Sequence, residues 1–235
     1  MAAMLTHGLQ ALGLDASHLT TVDESVHLAV ATASALMRLQ ARARSAGFDL
    51  AVASAYRSYQ RQLLIFNEKA RGLRTVYNDI GETLSRDACA DDQWLHAILR
   101  YSALPGTSRH HWGSDLDIYD RAAVDTDYVL QLVPSEYQAH GPFSALTEWL
   151  TDLMVRDDAE GFFRPYASDR GGVAPEPWHL SFRPDAAAMA DSVSEDLLTA
   201  AWRNQVLGFD VEPLALRALV EAQLPQLRAR YWQLE

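Results

Sequence analysis

The chain has 235 residues, 49% of them hydrophobic and 22% charged, so it can form one substantial core and is not dominated by disorder. Its 31 acidic residues outnumber 20 basic ones, and the formal net charge of −11 argues against nucleic acid or an anionic membrane surface as a partner. A single cysteine, Cys89, excludes an intramolecular disulfide and leaves His, Asp and Glu as the ligands for any metal.

The first third of the chain predicts a helix, a strand and a second helix. A capping-box pattern at residues 21–24 favours a helix over 22–46, which the following glycine ends. Apolar residues that alternate over 48–52 predict a strand. Ser58 can then cap a helix that extends to residue 72.

The rest of the chain alternates between short helices, strands and loops. We expect a polar loop over 73–90, a helix over 92–103, a strand over 116–119, an irregular insertion over 121–141, a helix over 142–155 and a strand over 178–182. Two or three helices follow Pro184. This order predicts an α+β fold with a helical C-terminal appendage rather than a clear second domain.

Two segments carry residues that are suited to a metal site. In the first, Gly113 lies between His110 and Asp117, and a glycine lets the backbone turn so that both side chains can converge. In the second, Glu176 precedes His179 by three residues at the start of a predicted strand. Catalytic zinc sites commonly have three protein ligands and one open position. His110, Asp117 and His179 give that number, and Glu176 remains for proton transfer.

Taken singly, these signals are weak. A histidine beside Trp or Gly is usually a packed or surface residue, and an aspartate at a strand end usually forms a turn. A third segment, in which Arg57 stands at the junction of a predicted strand and helix with Gln62 on the helix, adds a cation. The interpretation depends on all three segments together.

The combined pattern resembles a known family. Ser-x-His-x6-Asp, followed by Glu-x-x-His and preceded by Tyr-Arg-Ser-x-x-x-Gln, is similar to the D-alanyl-D-alanine carboxypeptidase branch of the zinc peptidases. That group includes vancomycin-resistance dipeptidases and LD-carboxypeptidases, and it shares its fold with the hedgehog signalling domain. The resemblance covers roughly residues 48 to 182.

The resemblance implies a small antiparallel sheet that carries the zinc site and is flanked by helices. It implies a zinc carboxypeptidase domain over 1–183, with a core at 48–182 and an N-terminal helix at 22–46, and a helical appendage over 184–235 packed on the same domain. Zinc would bind His110, Asp117 and His179. The general base would be Glu176, and Arg57 would be a substrate-stabilising cation.

Several assignments stay open at this level. The family usually has a small residue where this chain has Asp115, which could orient a ligand, alter metal affinity or be solvated. His111 is an alternative to His110 as the metal ligand. Arg57 could stabilise the oxyanion or hold the substrate's terminal carboxylate. Ser108 could bind substrate or cap a turn. Gln62 could bind substrate or lie on an exposed helix face.

The function that follows is removal of the terminal D-alanine from a peptidoglycan stem peptide or muropeptide, with D,D- or L,D-specificity undetermined. The alternatives are an endopeptidase or amidase of the same family and a non-catalytic zinc-containing binding module. A base at Glu176 argues against the binding module, because a structural zinc site has no use for one. The sequence does not indicate an oligomeric state.

The cellular location that the sequence predicts conflicts with a peptidoglycan substrate. The N-terminus lacks the basic and apolar regions of a signal peptide, and no apolar run approaches the roughly 18 residues that a membrane span needs. The chain therefore predicts a cytoplasmic protein, although a mature chain trimmed of its signal would look the same. Recycled muropeptides inside the cell, phage lysis or another export route would resolve the conflict.

Overall fold

A four-stranded antiparallel sheet organises the molecule, and two further strands form a separate hairpin. The computed structural model describes residues 2–79, 81–206 and 211–232. The strands are Leu19–Asp23 (β1), Val26–Ala29 (β2), Leu50–Ser54 (β3), Asp115–Asp120 (β4), Phe162–Phe163 (β5) and His179–Phe182 (β6). The sheet has the order β3-β4-β6-β5, and the hairpin pairs β1 with β2. The helices are Ala2–Ala11 (α1), Val30–Ser45 (α2), Tyr59–Ala70 (α3), Asp91–Leu99 (α4), Pro134–Tyr137 (α5), Ser144–Val155 (α6), Arg183–Ala190 (α7), Glu195–Trp202 (α8), Arg217–Ala222 (α9) and Leu224–Tyr231 (α10). These elements confirm the predicted α+β class with a small antiparallel sheet flanked by helices.

The two faces of the sheet have different chemistry, because side chains alternate along each strand. On β4 and β6 the apolar residues Leu116 and Leu180 are fully buried in a cluster with α2 and α6. The register places Asp117 opposite His179, and these side chains occupy the other face. One face therefore forms a core, and the other presents polar groups.

The predicted helix over 22–46 begins too early. Residues 19–29 form the β1–β2 hairpin, and the helix starts only at Val30. The apparent capping box lies at the turn, where the Asp23 carboxylate accepts a hydrogen bond from the Glu24 N–H at 2.6 Å. The β-branched residues Thr20 and Thr21 favour the strand. Helix α1 was not predicted.

The elements that position the functional motifs agree with the sequence. Helix α3 begins after Ser58, whose hydroxyl accepts a hydrogen bond from the Arg61 N–H at 3.2 Å. Strands β4 and β6 span the predicted 116–119 and 178–182 to within two residues at each end. The predicted insertion is irregular except for a short 3₁₀ turn and α5.

Four helices, rather than the predicted two or three, are described beyond the last strand. Leu198, Trp202 and Leu227 pack in one hydrophobic cluster with Phe66 of α3 and Trp94 of α4. Helices α8, α9 and α10 are thus packed on the same core as the helix that follows the Arg57 segment, whereas Ala186 of α7 packs with Ala11 and Trp112. Within the described ranges, none of the helices has the length and hydropathy required to cross a bilayer.

Candidate metal and active site

Three buried side chains converge on the polar face of the sheet. His110 lies in a 3₁₀ turn before β4, Asp117 lies in β4, and His179 opens β6. Nε2 of His110 is 3.4 Å from Oδ2 of Asp117, and Nδ1 of His179 is 3.4 Å from Oδ1 of the same carboxylate. One potential ligand atom from each residue lies within 4.8 Å of the others. The structure thus brings together the three predicted ligands.

Gly113 makes this convergence possible. It ends the 3₁₀ turn with φ 71°, in the left-handed region that glycine enters without steric cost. Its position against the hairpin is also tight, since a Cβ there would lie 2.3 Å from Cδ2 of Leu19. The turn thereby directs His110 and Asp117 toward the same point, as the sequence predicted.

Each histidine is oriented through its second ring nitrogen. Nδ1 of His110 lies 2.8 Å from the Ala55 carbonyl oxygen, which can only accept, so this nitrogen carries the hydrogen and Nε2 is free to face Asp117. Nε2 of His179 donates to Oδ1 of Asp115 at 2.9 Å, which leaves Nδ1 facing the centre. Such outer hydrogen bonds fix the tautomer and orientation of histidines that bind metals.

The centre of the cluster favours a cation. Oδ1 of Asp117 is buried and has no hydrogen-bond partner among the described residues. Burial opposes ionisation of Asp117, but His110 and His179 hold its pKa below the usual range. Burial also opposes the charged form of His179 and would lower its pKa. Its contacts with Asp115 and Glu176 outweigh this effect and raise the pKa to about 10. Without a metal, a proton on His179 would supply the positive charge.

Asp115 is the centre of a buried polar network. The strand begins at Asp115 and the side chain is fully buried, so the solvated alternative is wrong. Besides His179, its carboxylate accepts hydrogen bonds from Nε of Arg109 at 2.8 Å and from the hydroxyls of Ser114 at 2.5 Å and Ser181 at 3.1 Å. Burial opposes ionisation here too, but Arg109 and then His179 hold the pKa of Asp115 below its usual range.

His111 is part of the scaffold and lies outside the ligand cluster. Its Nδ1 donates to the Arg57 carbonyl oxygen at 2.6 Å, and its Nε2 accepts from the Gly106 N–H at 3.0 Å. Burial lowers its pKa to about 3, so the ring is neutral. Both nitrogens are therefore engaged, and His111 joins the Arg57 segment to the loop before β4.

Glu176 lies beside the cluster and retains access to solvent. Its Oε2 is 3.2 Å from Nδ1 of His179, and its side chain is 14% exposed. The Glu176 N–H donates to the Tyr166 carbonyl at 2.9 Å, which fixes the turn before β6. A carboxylate in this position can exchange protons with a molecule in the open part of the site.

Arg57 is held toward the site by Gln62. Nη1 of Arg57 donates to Oε1 of Gln62 at 2.9 Å, and Nε2 of Gln62 donates to the Ala103 carbonyl at 2.6 Å. Burial lowers the pKa of Arg57, while Asp117 and Glu176 oppose this, and a guanidinium stays charged at neutral pH. Gln62 is fully buried, so the exposed-helix alternative is wrong.

Ser108 is buried immediately before the 3₁₀ turn that carries His110, and its side chain makes no capping bond there. Its carbonyl oxygen accepts from the His111 N–H at 3.0 Å, so its backbone belongs to the turn. The substrate-binding roles of Ser108 and Gln62 stay predictions.

Arg109 is the principal site residue that sequence reasoning did not select. Its guanidinium lies 4.7 Å from the ring centre of Trp112 and 5.6 Å from that of Phe163, and it also donates to Ser181 at 2.6 Å. The signal was present, because an aspartate inside a buried strand requires a cationic partner and an arginine stands six residues upstream.

Comparisons with known proteins agree with this geometry. The sequence model of the family described as "VanY: D-alanyl-D-alanine carboxypeptidase" matches residues 25–185, more than half of the chain. An uncharacterized protein of Haemophilus influenzae is 35% identical over 108 residues, which cover 46% of this chain and 82% of that protein. A D-alanyl-D-alanine carboxypeptidase of Enterococcus faecalis is 29% identical over 143 residues, 60% of this chain but only 42% of the Enterococcus protein.

A solved structure shares the fold. The D,D-pentapeptidase VanY from a VanB-type resistance cassette, crystallised as a point mutant in complex with Zn(II), aligns with a TM-score of 0.51 at 24% identity. The alignment covers 76% of this chain and 86% of that protein. It extends the agreement to the arrangement of the elements.

Proposed function

This chain belongs to the VanY family of D-alanyl-D-alanine carboxypeptidases, a family of peptidoglycan peptidases, and on that premise we propose that it is a zinc-dependent carboxypeptidase. Its substrate would be a peptidoglycan stem peptide or muropeptide, from which it releases the terminal D-alanine. The observation that carries the proposal is the convergence of His110, Asp117 and His179, with each histidine oriented by a bond through its other nitrogen.

The donor set fits zinc. Two imidazole nitrogens and one carboxylate oxygen match its ligand preferences, and three protein ligands are typical of a catalytic site. The unpartnered Oδ1 of Asp117 is the kind of buried atom that a metal would satisfy. When bound, zinc supplies a Lewis acid that acidifies water and polarises a carbonyl group. The Zn(II) in the structurally similar VanY pentapeptidase supports this choice.

The chain's own residues divide the remaining work. Glu176 accepts the proton of the attacking water and passes it to the leaving amine, as one positioned carboxylate can serve both steps. Arg57, held by Gln62, stabilises the oxyanion that forms from the scissile carbonyl. A single well-placed donor of this kind contributes about 3 to 4 kcal/mol to the barrier reduction.

The first test combines metal analysis with peptide cleavage. We expect about one zinc per chain and release of one alanine from synthetic stem tetrapeptide or pentapeptide, read by mass spectrometry and abolished by a chelator. Cleavage of the pentapeptide alone would assign D,D-specificity, and cleavage of the tetrapeptide L,D-specificity. Zinc binding with internal cleavage would favour an endopeptidase or amidase, and zinc binding without cleavage a binding module. A chain that binds no zinc contradicts the proposal.

Two variants separate metal binding from proton transfer. Glu176→Gln should retain zinc and lose hydrolysis, because the amide cannot accept the water proton. His179→Ala should lose both zinc and hydrolysis. Metal content and turnover of the same preparations provide the measurement. Turnover by the glutamine variant at the wild-type rate would show that Glu176 is not the base.

A further inference from the structure

The turn that carries the proposed base is held by contacts to which the reaction proposed above gives no role. Glu176 and His179 are the ends of this turn, in which the His179 N–H donates to the Glu176 carbonyl at 3.1 Å. Pro175 and Pro177 flank Glu176. A proline fixes its own φ angle and restricts the residue before it, so the turn has few free backbone torsions. Its orientation then depends on the groups that bind its carbonyl and N–H groups.

The segment that directly follows β5 contacts this turn at three points. Nε of Arg164 donates to the Pro177 carbonyl at 3.0 Å. The Tyr166 carbonyl accepts from the Glu176 N–H at 2.9 Å, and the Tyr166 ring makes a T-shaped contact with the ring of His179 at 5.1 Å between centres. The segment therefore contacts the proposed base, the residue after it and a proposed zinc ligand.

Helix α6 fixes the other side of the Arg164 guanidinium. Nη1 donates to the Thr151 hydroxyl at 2.8 Å, and Nη2 donates to the Thr147 carbonyl at 3.2 Å. The helix in turn packs on the apolar face of the sheet through its buried leucines. All three nitrogens of one rigid, planar group thus join the turn to a helix that belongs to the core.

We propose that Arg164 is a positioning residue for Glu176, because its bond to the Pro177 carbonyl holds the turn that directs the Glu176 carboxylate toward the metal cluster. This inference rests on the proposed function, in which Glu176 accepts the proton of water. In this role Arg164 touches neither the substrate nor the metal. A catalytic group that is misplaced by about 1 Å can lower the rate about 100-fold, so loss of the clamp should appear in turnover.

Zinc binding should depend much less on Arg164. His179 is fixed by the pairing of β6 with β4 and by its bond to Asp115 at 2.9 Å, and neither interaction involves Arg164. Substitution of Arg164 should therefore separate the position of the base from the integrity of the metal site.

Three substitutions weaken the clamp to different degrees. Arg164→Met removes all three donors, and Arg164→Lys keeps the charge but lacks the planar fork. Thr151→Val removes only the hydroxyl that accepts from Nη1. Its matched control is Thr199→Val on α8, because both hydroxyls donate to the carbonyl four residues earlier and only that of Thr151 also accepts from Arg164. Arg156→Met, at an exposed position after α6, controls for loss of one positive charge.

Each zinc-loaded protein is assayed with the stem peptide that the wild type cleaves. We expect Arg164→Met to lower kcat about 10- to 100-fold, with little change in KM or zinc affinity. Arg164→Lys should recover little of the rate, because one ammonium cannot hold the helix and the turn together. Thr151→Val should lower kcat by a smaller factor and have no further effect in the Arg164→Met background, since its effect passes through Arg164. The two control variants should stay close to wild type.

Amide hydrogen exchange tests the same inference without turnover. The Glu176 amide hydrogen is isolated in the sequence, because its two neighbours are prolines and have none. In the metal-free protein, Arg164→Met should speed exchange at Glu176, whose N–H bonds to the Tyr166 carbonyl, and leave exchange along β6 unchanged. Equally faster exchange along β6 would mean that the substitution loosens the sheet as a whole, and would overturn a role specific to the turn.

The two proposals fail in different ways. If the wild type cleaves the peptide and Arg164→Met keeps the wild-type kcat and the wild-type exchange at Glu176, the role of Arg164 is overturned and the proposed function stands. Loss of zinc from Arg164→Met would also overturn it, because Arg164 would then support the metal site rather than the base. If the zinc-loaded wild type cleaves no stem peptide, the proposed function fails, and the catalytic role of Arg164 fails with it.

Discussion

At the residue scale, Asp115 joins the candidate metal cluster to a buried network of polar side chains. Its carboxylate accepts from His179 at 2.9 Å and from Arg109 at 2.8 Å, so it couples a proposed zinc ligand to a buried cation. The bond to His179 selects the tautomer whose Nδ1 faces Asp117. Asp115 is therefore a positioning residue rather than a ligand.

We predict that Asp115→Ala has two separable effects. Zinc affinity should fall about 10- to 100-fold because His179 loses the acceptor that orients it. The metal-free protein should lose about 3–5 kcal/mol of unfolding free energy because the buried ion pair between Asp115 and Arg109 is broken. Competition with a chromophoric chelator measures the first effect, and urea denaturation measures the second.

The double variant Arg109→Met/Asp115→Ala provides the control. Replacing both charges by apolar groups should recover most of the stability, since both members of the buried ion pair are then removed together. Zinc affinity should stay low, because His179 still lacks its acceptor. If the double variant bound zinc as tightly as the wild type, orientation of His179 by Asp115 would be the wrong explanation.

The ion pair between Arg109 and Asp115 also makes the stability of the protein depend on pH. Arg109 and His179 hold the native pKa of Asp115 below that of an unfolded aspartate, about 3.9. The stability that it contributes is therefore complete above the unfolded value and is lost as the pH falls through the native one. Between about pH 5 and pH 2, the unfolding free energy of the metal-free chain should fall more steeply in the wild type than in the double variant. Parallel curves would contradict this assignment.

At the element scale, the sequence was informative where a local signal matched the tertiary environment. Ser58 caps α3 as predicted, and the glycine between His110 and Asp117 forms the expected turn. The capping-box pattern at residues 21–24 was misleading, because the same residue types also form hairpin turns and only packing decides between them.

That packing joins the hairpin to the motif. The Ala29 N–H donates to the Gly113 carbonyl at 2.9 Å, a contact between segments more than 80 residues apart. No periodicity within either segment indicates such a contact. The contact of Ser181 with Arg109 and Asp115 was missed for the same reason, since Ser181 joins them only when β4 pairs with β6.

Two glycine substitutions measure how closely the hairpin constrains the site. Gly47→Ala places a Cβ at φ 92° in open space, so it should cost about 1–2 kcal/mol from backbone strain alone. Gly113→Ala causes similar backbone strain. In addition, its Cβ would lie 2.3 Å from Cδ2 of Leu19 and 3.0 Å from the Ala29 nitrogen. We expect an additional loss of about 1–3 kcal/mol from overpacking, measured by urea denaturation. Equal losses in the two variants would mean that the hairpin moves aside freely.

At the scale of the whole molecule, the two largest hydrophobic clusters of the described residues support different parts of the structure. One packs α2 and α6 against the apolar face of the sheet, and the other joins α3 and α4 to α8, α9 and α10. Because α3 carries Gln62, which accepts a hydrogen bond from Arg57, the second cluster supports the helix that positions this cation. The domain limits at residues 183 and 184 stay a prediction, but the shared cluster favours a C-terminal appendage that folds with the rest.

Trp202 tests whether that appendage unfolds with the rest of the chain. It is 1% exposed, packs in the cluster with α3 and α4, and donates from Nε1 to the Pro105 carbonyl at 2.9 Å. Trp202→Ala should lower the free energy of unfolding by about 3–5 kcal/mol. Far-ultraviolet circular dichroism and loss of bound zinc should still report one coincident transition, because α3 cannot stay packed when α8 detaches. Val155→Ala, at a residue 81% exposed, should change stability by less than about 0.5 kcal/mol. Two separate transitions, with zinc retained through the first, would instead show that the C-terminal helices form an independent unit.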